Sequence, residues 1–211
     1  MIGLIQRNLK CLKAAPVLLA LTVLVGCAGG AVPLSDSFPA PIVEPLPYQV
    51  GVVFTDEFQT YLHEDEDTDF TIDLGARQTR MFGITFDALF DRQVAVGGDG
   101  AGASGVDLIL RPELLEYSFI SPRETGTGFY AASMRYRVVV MRADQSVVGF
   151  VPFVAYGKSR SGLLNQADSL GEATTMALRD ASAALITVFK QEIAKEAWRR
   201  PRPGSTSDTT I

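Results

Sequence analysis

The sequence predicts a two-layer α+β domain. Its elements run strand, helix, three-strand meander, helix, with an antiparallel sheet carrying both helices on one face. Three observations lead there. Apolar residues alternate at Tyr48, Val50, Val52 and Phe54, and again at Met134, Tyr136, Val138 and Val140. Apolar residues recur at three- and four-residue offsets from Leu74 to Phe90 and from Leu170 to Phe189. Turn and glycine-rich stretches separate these runs. A sheet with one apolar face covered by two amphipathic helices is the economical way to bury such stripes.

Residues 48–54 predict the first strand, with Val53 on its other face. The acidic stretch 56–69 includes Glu64, Asp65, Glu66 and Asp67 in succession and predicts a solvated loop. A helix follows, with Leu74, Met81, Phe82, Phe86, Leu89 and Phe90 on one side, Thr71 or Asp73 as its cap, and Gly75 and Gly83 weakening it. The glycine-rich stretch 97–105 predicts a loop. Arg111 and Pro112 interrupt the next apolar run, so an irregular or bulged strand is expected, clearest at Leu115, Tyr117 and Phe119. Strands around 134–140 and 147–156 form a hairpin across Ala143, Asp144, Gln145 and Ser146. Ser169 with Glu172 matches a capping box for the last helix, whose stripe is rich in alanine and suited to lying close against a sheet.

The ends read differently from this domain, which is expected to span 48–197. Residues 1–26 carry Arg7, Lys10 and Lys13 without an acid, then an apolar run of about 12 residues, too short for the roughly 20 that a membrane span needs. That is a signal peptide. Leu24, Val25, Gly26 and Cys27 resemble the bacterial lipobox, which implies lipidation of Cys27 and a membrane anchor there. Cleavage further on, near Gly30, with Cys27 discarded, is the alternative. By resemblance to the sorting pattern of enterobacterial lipoproteins, Ala28 after the cysteine implies the outer membrane, with the domain facing the periplasm. Residues 27–47 hold Pro33, Pro39, Pro41, Pro45 and Pro47 and predict an extended tether. Residues 198–211, with Arg199, Arg200 and Arg202 and a Ser/Thr-rich end, predict a disordered tail.

Composition narrows the chemistry. The 211 residues carry a formal charge of −5, and losing the three basic residues of the signal leaves 16 basic against 24 acidic, a net −8. Such a chain is a poor match for nucleic acid, which rewards a basic face. One histidine and two cysteines supply no tetrahedral metal set, and no metal or cofactor is expected. Asp65, Asp67 and Asp69 imitate the start of a calcium loop, but Phe70 stands where glycine is needed and Ala76 where a bidentate glutamate is needed. Gly157, Lys158 and Ser159 imitate the end of a phosphate loop, with Pro152 in place of its first glycine. The segment 102–105 lacks the spacing of a nucleophile elbow, and a serine triad would have to use His63 in the acidic stretch. Glu113 and Glu116 are the remaining acid–base candidates, with nothing to mark them out from strand-edge acids. No catalytic residue is assigned.

Arg135 and Arg137 point to one face of a strand, opposite Met134, Tyr136 and Val138, and form a possible ligand face for acidic groups such as the phosphates of lipopolysaccharide. Asp73-Leu74-Gly75, Phe129-Tyr130, the run from Ala155 to Ser159 and the run from Ala177 to Ala181 resemble a group of uncharacterised proteobacterial outer-membrane lipoproteins. The order of elements is similar to that of YajG-type lipoproteins, the curli secretion lipoprotein and the lipoprotein that plugs the lipopolysaccharide translocon. That resemblance implies a fold and an envelope location, and no activity. The expectation is a non-enzymatic outer-membrane lipoprotein that binds or scaffolds an envelope protein. A binder of lipopolysaccharide or another envelope glycan is the alternative.

Overall fold

The computed structural model describes residues 30–97, 104–162 and 165–194. The signal peptide, Cys27, the middle of the glycine-rich loop and the tail from 198 lie outside the described residues. In chain order the elements are β1 (Leu46–Val52), α1 (Asp56–Gln59), β2 (Leu62–Asp65), β3 (Phe70–Asp73), α2 (Gly75–Leu89), β4 (Phe90–Ala95), β5 (Leu108–Ile120), α3 (Pro122–Thr125), β6 (Phe129–Met141), β7 (Val147–Arg160) and α4 (Gln166–Ala194). One sheet runs β4-β1-β5-β6-β7, and β2 and β3 form a separate hairpin. This is the predicted α+β arrangement, with α2 and α4 packed over the main core.

The alternation read in β1 places Val50 and Val52 in that core, and Tyr136, Val138 and Val140 of β6 meet them from the same side. Phe82 of α2 lies edge-on to Tyr136 at 5.1 Å, and Tyr136 stacks on Phe153 of β7 at 5.5 Å. Rings at these separations add to the burial energy of the side chains themselves. Ala173, Ala177 and Ala181 bring α4 close to the sheet. At Gly157 of β7 an added Cβ would stand 1.9 Å from the carbonyl oxygen of Ala173, so only glycine admits the helix backbone there. The predicted bulge in β5 lies between Leu114 and Glu116. Pro112 pairs with Val138 of β6 just past Leu110, where pairing with β1 ends, so its missing N–H leaves no gap in a central ladder.

The sheet is mixed rather than antiparallel throughout. The meander β5-β6-β7 is antiparallel, whereas β1 pairs in parallel with both β4 and β5. α2 carries the chain from β1 back to the starting end of the sheet, and a strand that follows such a crossover runs parallel to the first. β4 escaped prediction because Asp91, Arg92 and Gln93 lie on an exposed edge and break the apolar alternation.

The acidic stretch is not all loop. It holds α1 and the β2–β3 hairpin, with the acids at the tip, where Asp65 Oδ1 accepts from the N–H and hydroxyl of Thr68 at 2.9 and 2.6 Å. Neither Thr71 nor Asp73 caps α2. Its N-cap is Leu74, and Asp73 instead pairs with Arg77 at 3.0 Å. The capping box predicted at Ser169 lies inside α4, where Ser169 accepts from the Gly162 N–H at 2.9 Å and Glu172 accepts from Ser159. Ser121 and Glu124 form a capping box at α3.

The predicted tether is corrected as well. From Ala31 to Val43 the chain packs as a strap against the helical layer. Val32 and Leu34 are buried, the Val32 N–H donates to Thr71 O at 2.9 Å, and the Ser35 N–H donates to Thr175 Oγ1 at 3.2 Å. Arg77 pairs with Asp36 at 3.2 Å, and Phe38 and Val43 rest on the core. Two apolar residues at every second position were enough to dock a segment whose prolines suggested free extension.

Candidate functional site

The face of the meander turned away from α2 and α4 is built in rows by strand register. Arg111, Val139 and Phe150 form the first row, Glu113, Arg137 and Pro152 the second, and Glu116, Arg135 and Val154 the third. Ser118, Ser133 and Tyr156 follow, then Ile120, Ala131 and Lys158, and last Phe129 with Arg160. At its β1 end this same face holds a small second core of Val53, Val96, Val106, Ile109, Val139 and Met141. Past that core no described helix covers the rows.

Arg135 and Arg137 stand on this face, as the alternation of β6 requires. Neither stands alone. Arg137 Nε donates to Glu113 Oε2 at 2.9 Å and its guanidinium lies 5.1 Å from the Phe150 ring centre. Arg111 reaches the other Glu113 oxygen at 3.2 Å, and Arg135 pairs with Glu116. The two glutamates weighed as acid–base candidates are therefore cross-strand partners of arginines, worth on the order of 0.2 to 1 kcal/mol each at such exposure. An incoming phosphate would have to displace carboxylates already in place.

The feature that sequence reasoning missed is the exposed stripe on β7. Phe150, Val154 and Tyr156 are 55%, 55% and 59% exposed, and with Pro152 they form an apolar stripe along the outermost strand. At the end of that stripe Lys158 Nζ sits 4.0 Å above the Phe129 ring and Arg160 lies 5.8 Å from the same ring. Neither cation forms an ion pair among the described residues. Five cations and two carboxylates make the face net positive in a chain whose net charge is −5. The signal was present in the sequence, since apolar residues occupy both alternating sets of 147–156, which one buried face alone does not demand.

The other singled-out residues fall elsewhere. His63 lies edge-on to Tyr117 at 4.9 Å on the hairpin, and burial lowers its pKa against the opposing pull of Asp65. Gly157, Lys158 and Ser159 are strand residues, with the Ser159 hydroxyl on Glu172. A cavity of about 310 Å³ opens between α1 and the β5 bulge, bounded by Phe58, Tyr61, Arg111, Glu113 and Leu115. Its two charged strand residues are already paired with each other. The arrangement as a whole is an open surface with charge and apolar area interleaved.

No family model and no curated protein matches the chain. Among solved structures it is similar to a Xanthomonas campestris protein of the family described as DUF330, with 13% identity over 78% of this chain and 97% of that one and a TM-score of 0.48. It is also similar to the rare lipoprotein B of Shewanella oneidensis, with 14% identity over 70% and 98% and a TM-score of 0.38. A minor lipoprotein of Acinetobacter baumannii is similar at 7% identity over 71% and 96%, with a TM-score of 0.40.

Proposed function

We propose that the protein is an outer-membrane lipoprotein, anchored through Cys27 with its domain in the periplasm, and that it works without catalysis by docking an acidic envelope protein on the open face of β5-β6-β7. The lipobox and the apolar run before it support the anchor. No helix of the described residues is long and apolar enough to cross a membrane.

The observation that carries the docking role is the β7 stripe of Phe150, Val154 and Tyr156 beside Lys158 and Arg160. Exposed apolar area rimmed by charge marks interaction surfaces, and a positive face within an acidic protein selects an acidic partner and repels a second copy laid face to face. Lipopolysaccharide or another envelope glycan is the second reading, supported by Lys158 and Arg160 beside the Phe129 ring and opposed by the pairing of Arg135 and Arg137.

The test is photo-crosslinking in cells from a reactive amino acid placed at Val154 or Tyr156, with Thr187 on α4 as the reference position. Docking predicts one protein adduct from the sheet positions, lost on Lys158→Glu with Arg160→Glu. A glycan adduct at the sheet positions would favour the second reading. Protein adducts arising only from Thr187 would sink both.

A further inference from the structure

We propose that the groove beside the strap, on the helical layer, binds a fatty carboxylate, with one acyl chain lying between α2 and α4 and its head group on Arg179. The groove is independent of the open sheet face. Phe38, Pro39 and Pro41 of the strap form one wall, and Met81 and Ile84 of α2 and Ile186 of α4 form the others. The prolines fix the backbone of that wall. Its N-terminal side is held by the buried Val32 and Leu34, so the groove is shaped before any ligand arrives.

Size and polarity select the ligand. The volume is about 210 Å³, which suits a stretch of one hydrocarbon chain. The hydroxyls lining it are already satisfied. Thr85 donates to the Met81 carbonyl at 2.8 Å and lies 2.7 Å from the Ser182 oxygen, so a polar guest gains nothing along the groove while an apolar chain leaves water.

Charge selects the head group. Arg179 lines the groove, donates only to the Ser37 carbonyl at 3.3 Å and makes no ion pair among the described residues. Asp36 of the strap is held by Arg77, and Asp180 holds the Tyr156 N–H of β7. A guanidinium with donors to spare beside an apolar groove fits a carboxylate at the end of an alkyl chain.

The experiment uses the full-length protein in cells fed a palmitate analogue that carries a diazirine within the chain and a terminal alkyne. After irradiation, adducts are mapped by mass spectrometry. The expected result is labelling within residues 38–41, 81–85 and 179–186 at the mass of the free acid. Ala183→Trp, at an exposed position that can fill the groove, abolishes it, as does Ile84→Gln should the tryptophan variant fail to accumulate. Arg179→Gln lowers it about tenfold, whereas a neutral monoacylglycerol analogue labels both forms equally. Free-acid photo-adducts confined to other parts of residues 31–194, or labelling of the groove that survives both groove variants, overturn the site. An adduct with the mass of a phospholipid or lysophospholipid, or full labelling of Arg179→Gln, overturns the carboxylate assignment.

Discussion

The carboxylate of Asp180 on α4 accepts the backbone N–H of Tyr156 on β7 at 2.8 Å. β7 is the outer strand of the sheet, so an N–H that reaches α4 is one that β6 leaves unpaired. Pro152 lies four residues earlier in the same alternation and has no N–H to offer. Two positions of the outward ladder are thus closed to an incoming strand, one by a helix side chain and one by proline, which is how natural sheets blunt a long edge. Pro152→Thr combined with Asp180→Ala should open it. Light scattering at tens of micromolar should show the double variant shifting to dimers or larger species. Asp180→Asn, which keeps an acceptor oxygen, should leave the mass unchanged.

Two glycines should respond to alanine in opposite directions. At Gly157 the new methyl would lie 1.9 Å from Ala173 O and 2.3 Å from Ala177 N, both backbone atoms of α4 that cannot turn aside. The helix must lift, and a loss of about 3 kcal/mol or more is expected, a fall in Tm on the order of 10 °C for a domain of this size. Gly83 is interior to α2, and an added methyl there would meet nothing within 4 Å. Alanine there should stabilise by about 0.5 to 1 kcal/mol through helix propensity. Thermal melts of the two variants side by side separate close packing from backbone entropy.

Tyr136 predicts an alkaline limit to stability. Burial raises its pKa well above the ordinary phenol value of 10, and burial likewise raises that of Tyr117, partly opposed by the hydrogen bond to Thr174. Above pH 10 the unfolded chain releases both protons while the folded chain keeps them, so the folded state binds more protons and stability falls as pH rises. The full contribution is present below pH 10, and each tyrosine adds a loss of about 1.4 kcal/mol per pH unit above it. Denaturant melts between pH 9 and 11.5 should show the decline, shallower by one proton in Tyr136→Phe. That variant should also lose about 1 to 3 kcal/mol at neutral pH, because the Tyr136 hydroxyl donates to the buried Gln78 Oε1 at 3.1 Å and phenylalanine leaves that oxygen unmet.

How much of this was legible depended on whether one face or two carried the information. Val50, Val52, Tyr136 and Val138 repeat every second residue, and Phe82, Phe86 and Leu89 every third or fourth, so the layers and most strands could be read directly. β4 was hidden because an exposed edge strand needs no apolar alternation. The strap was hidden because Val32 and Leu34 are too few for a periodic signal and the prolines around them suggest extension. Arg135 and Arg137 were placed on the right face, but their partners Glu113 and Glu116 come from β5 through a register offset by the bulge at Leu115, which spacing along the chain does not reveal. The stripe on β7 was overlooked for a related reason: an apolar run reads as buried on both sides until the topology shows which neighbour is missing.

The strap gives the remaining prediction. It crosses α4 at Gly171, where a methyl group would stand 2.0 Å from the Pro33 carbonyl oxygen, and Leu34 is buried beside that crossing. Gly171→Ala should push the strap off α4 while leaving the helix intact, since alanine is the better helix former. Leu34→Ala removes side-chain burial worth about 2 kcal/mol or more without touching the crossing. In both variants hydrogen exchange should quicken at the amides of Val32 and Ser35, whose bonds to Thr71 and Thr175 hold the strap down. The amides of β6 should keep their protection. A free tether would show fast exchange at Val32 and Ser35 already in the unaltered protein, and neither substitution would then change it.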